Sequence, residues 1–149
     1  MPLFKKKPFF TEPQSQEIVQ AIKEAERMTS GEIRVFVEHH CRFVNAVDRA
    51  FEIFGKLQMH QTKYHNAVLV YLALKDRQFA ILGDEGIHQK VGDNFWKQEL
   101  IDLGKYFREN RFVDGIANCV TEIGESLKQY FPYESDGENQ LPDDIVYGR

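Results

Sequence analysis

The sequence predicts an α/β fold in which a small mixed β-sheet is sandwiched between α-helices. Three patterns predict it: an alternating segment at Glu32–Glu38, two apolar runs at residues 67–74 and 79–82 on either side of a polar turn, and helical stretches around them. A strand, a helix and a second strand in this order form a crossover unit with parallel strands. The third strand returns antiparallel as a hairpin. The predicted sheet therefore combines a parallel crossover pair with an antiparallel hairpin.

The strands differ in how they are expected to be covered. In Glu32–Glu38, apolar side chains alternate with charged ones, which predicts a strand that is half covered or near a sheet edge. The run at residues 67–74 has no polar interruption, which is typical of a strand covered on both faces. We therefore expect the second strand to be the most deeply buried.

The helices are predicted from apolar side chains at helical spacing. Thr11 is suited to cap the first helix, and Asp93 is suited to cap the third. Pro132 ends the last helix. Four helices are expected, over residues 13–28, 45–58, 93–110 and 112–131.

The ends of the chain differ from its body in composition. At 149 residues we expect one domain, residues 11–132, with a flexible arm at 1–10 and an acidic, disordered tail at 133–149. The tail carries the whole net charge of -4, so the body is neutral and gives no electrostatic case for nucleic acid binding. No signal-peptide run or membrane span is found, which predicts a cytoplasmic protein.

Acidic and amide side chains are expected to meet at one rim of the sheet. If the first two strands are parallel and the third returns, that rim collects the start of strands one and two and the end of strand three. The side chains placed there are Glu32, Asn66, Asp84, Glu85 and Asp93. Carboxylate and amide oxygens suit Ca²⁺ or Mg²⁺ better than Zn²⁺. The sequence therefore predicts a divalent-cation site at this rim.

Two other interpretations stay open at this point. Acids beside glycines at strand ends commonly serve as turn residues and helix caps, which would account for Asp84 and Asp93 without an ion. The opposite rim offers His39, His40 and Cys41 near Asp76 of the hairpin turn. Adjacent histidines on an extended segment point to opposite sides, however, so they rarely bind one metal together.

Four segments in order resemble the TPM domain family, sometimes called the TPM phosphatase domain. They are SGEIRVFV, NAVLVYLALKDRQFAILGDEGI, VGDNFW and FVDGIANCVTEIGESL, and the resemblance covers about residues 12–131. It implies an α/β sandwich with a divalent cation, typically calcium, near the acidic rim. Carried over by position, Asp84, Asp93 and Asn66 match the family's motif, whereas Glu32 and Glu85 rest on the topology argument.

The resemblance also implies a function, since some members of the family have acid phosphatase activity. The first hypothesis is a cation-binding domain, with metal-assisted hydrolysis of a phosphorylated small molecule as its chemistry. The alternative is a non-catalytic module that binds a protein partner, in which the cation is structural or absent. Many members have aspartate where His65 stands, and an imidazole is a poorer calcium ligand. Many also carry a membrane anchor and a secretion signal, so this sequence resembles a compact cytoplasmic form.

Overall fold

A computed structural model describes residues 9–42, 45–134 and 144–148 of the chain. The predicted mixed α/β architecture is confirmed. The described residues form α1 (Glu12–Arg27), β1 (Glu32–Glu38), α2 (Ala46–Lys56), β2 (Ala67–Ala73), β3 (Gln78–Gly83), α3 (Glu85–Val91), α4 (Asp93–Arg108), α5 (Phe112–Tyr130) and β4 (Ile145–Tyr147). A short 3₁₀ turn, Met59–Gln61, follows α2.

The sheet has the strand order β3-β2-β1-β4. β1 and β2 are parallel and β2 and β3 are antiparallel, so the predicted crossover pair and hairpin are both confirmed. In this register Glu32 lies opposite Ala67, and Gly83 lies opposite Val68. The start of β1, the start of β2 and the end of β3 therefore share one rim.

Helices cover both faces of the sheet. Ile33, Val35 and Val37 of β1 pack on one face with apolar residues of α1, α3, α4 and α5. Phe36 and Tyr71 pack on the other face with α2. The period of two along β1 thus sends alternate side chains into two separate cores.

The prediction that β1 is half covered is wrong, whereas its alternative, a position near a sheet edge, is confirmed, because the neighbour of β1 is the three-residue edge strand β4. All seven residues of β1 are buried, and the strand lies between β2 and β4. Of its charged side chains, Glu38 is tolerated because it has partners: it accepts both Arg49 Nε at 2.9 Å and Arg49 Nη2 at 3.0 Å, and it also accepts the hydroxyl of Tyr71. Alternation of charge therefore predicted the strand correctly but its burial incorrectly.

The tail also needs a correction, because Ile145–Tyr147 form β4, parallel to β1. A three-residue strand after an acidic segment is too short to show the apolar pattern from which strands are predicted. At the other end, Phe9 and Phe10 pack against the core, so the predicted arm is shorter than expected. Residues 1–8 of that arm and residues 135–143 and 149 of the tail lie outside the described residues.

The turn after β3 is not the simple strand end that was expected. Asp84 is the N-cap of α3, a seven-residue helix that the sequence analysis did not predict. Gly92, with φ 76°, ends α3 and is also the N-cap of α4. Asp93 is therefore the first residue of α4 rather than its cap.

The described helices bear on the predicted absence of a membrane span. None of them is long and apolar enough to cross a bilayer. The cytoplasmic location stays a prediction.

Candidate functional site

The rim predicted to bind a cation is formed by the starts of β1 and β2 and the end of β3. Asp84 continues the β3 ladder, since its backbone N–H donates to the carbonyl of Ala67 at 2.9 Å. Glu32 lies opposite Ala67 on the other side. Because side chains of directly opposed residues share a face of a sheet, Glu32, Ala67 and Asp84 form one row across three strands. We call this region, with Asn66, Glu85 and Asp93, the amino-terminal rim.

Asp84 uses both of its carboxylate oxygens in the structure. Oδ1 accepts the backbone N–H of Glu85 at 2.8 Å and so caps α3. Oδ2 lies 3.3 Å from Nδ1 of His65. The carboxylate is largely covered, with 15 % of its side chain exposed. Asp84 thus has the capping role that the sequence allowed, and its second oxygen faces an imidazole.

Asn66 is fully buried at the start of β2. Its Nδ2 donates to Ser30 Oγ at 3.3 Å, and its backbone N–H donates to Thr62 Oγ1 at 3.2 Å. Its Oδ1 is buried without a hydrogen-bond partner among the residues described. Leaving a buried acceptor unsatisfied costs about 1–3 kcal/mol, so this oxygen is suited to a further ligand such as a cation or a water.

The other three predicted ligands lie in different surroundings. Glu32 is buried, and its charge acts on the guanidinium of Arg34. Glu85 is exposed on the first turn of α3. Asp93 is 79 % exposed, and its Oδ1 lies 3.5 Å from Nε2 of His88. The rim therefore brings Glu32 and Asp84 into one row, and it leaves Asp93 at the surface.

A more compact group of carboxylates lies between α4 and α5. Within the described part of the chain, the ligand oxygens of Glu99, Asp102 and Glu122 all lie within 4.8 Å of one another. Among the described residues, no three acids or histidines of the rim form such a group. This cluster was not predicted from the sequence, although Glu99 occupies the buried stripe of α4, three residues after Trp96 and four before Leu103. The sequence signal that could have indicated this cluster is a charged residue on the apolar stripe of a helix.

The environment of Glu99 is unfavourable for a negative charge. The side chain is 3 % exposed, and its Oε1 has no hydrogen-bond partner among the residues that the structure describes. Burial, reinforced by the charges of Glu122 and Asp102, raises the pKa of Glu99 to about 7. The Cys119 thiol lies against the same carboxylate, and burial raises its pKa well above the ordinary value.

The opposite rim holds the residues of the alternative site. His40 Nδ1 lies 2.8 Å from Asp76 Oδ1, and the backbone N–H of Cys41 donates to Asp76 Oδ2 at 2.7 Å. The predicted proximity of these segments is confirmed. The three side chains form no group of metal-ligand atoms within 4.8 Å in the residues described, so the geometry gives this rim a turn-stabilising role.

Comparison with known proteins identifies related chains. The model of the TPM domain matches residues 4–126. The BA42 protein from the psychrophilic bacterium Bizionia argentinensis is 38 % identical, with a TM-score of 0.88 over 97 % of this chain and 99 % of that one. The N-terminal domain of cg2496 protein from Corynebacterium glutamicum has a TM-score of 0.63 over 98 % and 94 % of the two chains, at 11 % identity, which shows a shared fold. No curated protein sequence matches the chain.

Proposed function

Because this chain belongs to the TPM domain family, we propose that it is a divalent-cation-binding domain, with Ca²⁺ or Mg²⁺ at the amino-terminal rim. Asn66 and Asp84 are the central ligands of this proposal, and Glu32, Glu85 and Asp93 supply the acidic surroundings. The set is rich in carboxylate and amide oxygens, which hard cations prefer. Zn²⁺ fits less well, because the imidazole of His65 would be the single nitrogen ligand.

The observation that carries the proposal is the buried amide oxygen of Asn66. This oxygen lacks a hydrogen-bond partner among the described residues, and the residue is fully buried beside a rim that also holds Asp84. A cation would satisfy this acceptor and, at the same time, offset the negative charge of the rim. A water molecule is the neutral alternative, and it would not respond to added metal.

His65 is expected to weaken the site. Its Nδ1 already lies 3.3 Å from Asp84 Oδ2, so an ion bound there competes with the imidazole for that oxygen. The positive φ of His65, 51°, places it in a tight connection just before β2, close to the rim. We therefore propose a site of modest affinity, in which substitution of His65 by aspartate strengthens calcium binding.

Hydrolysis of phosphomonoesters is the second function that we propose, and His88 favours it. Nε1 of Trp96 donates to His88 Nδ1 at 3.0 Å, which leaves the proton of a neutral imidazole on Nε2, facing Asp93. A histidine fixed in one tautomer beside a carboxylate is suited to proton transfer. A bound divalent cation supplies charge neutralisation for phosphate oxygens.

Nuclear magnetic resonance titration with Ca²⁺ and then Mg²⁺ tests the rim site. We expect amide shifts at residues 65–67 and 84–86. At about 100 times the dissociation constant we expect about 2.7 kcal/mol of added stability. Asp84→Asn removes the charge but keeps a residue that caps helices well, so the variant should fold and lose these shifts. Glu17→Gln, on the exposed face of α1, is the matched control.

The outcomes separate the functions. Rim shifts with turnover of p-nitrophenyl phosphate, abolished in His88→Gln, support the hydrolase. Rim shifts without turnover support the non-catalytic domain with a structural ion. If neither cation changes the chemical shifts of the rim amides, the proposal is contradicted. The remaining function is then a protein-interaction module that needs no ion.

A further inference from the structure

We propose that Glu99, Asp102 and Glu122, between α4 and α5, form a second site for a hard divalent cation, separate from the amino-terminal rim. We call these three residues the interhelical cluster. Their ligand oxygens all lie within 4.8 Å of one another. Glu99 and Asp102 stand one turn apart on α4, and Glu122 approaches from α5.

The close packing of α4 against α5 brings these acids together. A Cβ atom added to Gly115 would lie 2.7 Å from Cβ of Tyr106, so only a glycine fits at this crossing without a shift. On the same face of α5, Cys119 and Ile123 are buried. The cluster is therefore a consequence of how the two helices pack, and not of a flexible surface loop.

The buried carboxylate of Glu99 is the observation that points to a ligand. The residue is 3 % exposed, and Oε1 has no hydrogen-bond partner in the described part of the chain. A buried ionised carboxylate without a compensating charge is strongly unfavourable. Asp102 and Glu122 add negative charge instead of offsetting it. A cation between the three groups would satisfy the open oxygen and remove the repulsion together.

The two remaining carboxylates are each oriented by an amide. Nε2 of Gln98 donates to Asp102 Oδ1 at 3.0 Å, and Nδ2 of Asn118 donates to Glu122 Oε1 at 2.7 Å. Each bond holds one oxygen of its carboxylate in place. Amide donors behind ligating carboxylates are a common way to hold metal ligands in place.

A cleft at the surface reaches one acid of the cluster, Asp102. Asp102 and Asn118 line a cavity of about 290 Å³ that also includes Tyr106, Lys105 and Arg111. Arg111 is already paired with Asp114 and Glu109, at 3.1 and 3.4 Å. The cleft has room for an ion that keeps several waters, as Mg²⁺ and weakly bound Ca²⁺ do.

A proton is the competing occupant. Protonation of Glu99 relieves the same repulsion, and with a pKa of about 7 the carboxyl group is partly protonated at neutral pH. A cation must displace this proton, so its apparent affinity should rise with pH. Groups facing Glu99 that also enter the balance are Asp102, Glu122 and Cys119.

The test is a titration of the full chain with Ca²⁺ at pH 8, followed residue by residue in NMR spectra to about 10 mM, roughly tenfold above the weakest protein calcium sites. We expect shifts at residues 98–103 and 118–123. Glu99→Gln should weaken this binding by about tenfold or more, because ligand charge sets calcium affinity. Glu125→Gln, an exposed acid on the same helix, should not change it.

Two further results keep the two cation sites distinguishable. Asp84→Asn should remove the rim shifts and keep those of α4 and α5. Wild type should bind more weakly at pH 6 than at pH 8, whereas a rim-only protein shows no shift at residues 98–103 at either pH. Unchanged chemical shifts of the amides of residues 98–103 and 118–123 at 10 mM Ca²⁺ would overturn the proposal. Unchanged calcium binding in a folded Glu99→Gln variant would also overturn it.

Discussion

Three covered carboxylates among the described residues differ in their surroundings. Glu38 is paired with the guanidinium of Arg49, and Asp84 caps a helix. Glu99 faces two further acids, and its position raises its pKa to about 7. Because a buried charge is stable only when it is compensated, the partners of the first two carboxylates stabilise the folded chain. Glu99 is stable only with a proton or a cation.

The raised pKa of Glu99 predicts a specific pH dependence. The folded state holds the proton up to about pH 7, whereas the unfolded chain releases it near the ordinary value of 4.5. Stability from this group is therefore full below about pH 4.5 and is lost as the pH rises through 7. The difference between the two pKa values corresponds to at most about 3 kcal/mol of free energy of unfolding.

Glu99→Gln should abolish this loss, because glutamine cannot ionise. In metal-free buffer, the stability of the variant relative to wild type should rise between pH 5 and pH 8. Urea unfolding measures this difference in free energy of unfolding. Glu125→Gln should follow wild type across the same range. A constant difference between Glu99→Gln and wild type at both pH values would contradict the assigned pKa.

The ion pair on the second face of the sheet predicts an asymmetric mutational effect. Arg49→Met should destabilise the fold by about 3 kcal/mol, because it leaves the buried carboxylate of Glu38 without its cation. Tyr71→Phe should cost only about 1 kcal/mol, since it removes one hydrogen bond to the same carboxylate. Urea unfolding at pH 7 measures both. Equal effects would mean that the pair is not the main compensation for Glu38.

The site residues could be predicted only as far as topology reaches. Parallel β1 and β2 and antiparallel β3 placed Glu32, Asn66 and Asp84 at one rim, because strand direction alone decides which ends meet. Side-chain partners could not be predicted. His65 faces Asp84, and Glu122 approaches Glu99 across 23 positions of sequence, through packing that no local pattern encodes.

The turn from β3 into α3 is held by close backbone contacts. Gly86 lies in the first turn of α3. A Cβ atom added there would lie 2.1 Å from the carbonyl oxygen of Tyr64 and 2.6 Å from that of His65. Because both atoms belong to the backbone before β2, neither can rotate away. The glycine therefore sets the distance between α3 and the rim.

This contact predicts opposite outcomes for two helical glycines. Gly86→Ala should destabilise the protein by about 2 kcal/mol, because the methyl group forces the backbone of residues 64–65 to move. Gly55→Ala, near the end of α2, should stabilise it by about 0.5–1 kcal/mol, since nothing lies within 4 Å of the new methyl group. Thermal unfolding of the two variants measures the difference. Similar effects in both would show that Gly86 is not a packing constraint.

Length decided which elements could be predicted from the sequence. α1, α4 and α5, of 16 to 19 residues, carry a full apolar stripe and were predicted. α3 has seven residues and a single buried one, Ile87, so it has no periodic signal. β4 has three residues and owes its position to β1. Short elements depend on tertiary contacts, and a local pattern does not contain them.

β4 connects the two ends of the described chain. Ile145 lies opposite Val35 of β1 and is 6 % exposed in the larger core. Tyr147 stacks on Phe9 with 5.2 Å between ring centroids. Its hydroxyl also lies 3.1 Å from Oγ of Ser15 in α1. The last strand thus contacts the central strand, the first helix and the segment before it.

This arrangement predicts that β4 contributes to global stability, although it is a short edge strand. Ile145→Ala should lower the free energy of unfolding by about 2 kcal/mol, because it removes a buried side chain from the core shared with α1 and α5. Tyr147→Ala should cost below about 1 kcal/mol, since that side chain is 43 % exposed. The measurement is urea unfolding together with amide hydrogen exchange of β1. If β4 merely frays from the sheet, Ile145→Ala will leave the unfolding midpoint and the exchange of β1 unchanged. A shift of both by the same free energy means that β4 unfolds together with the central strand.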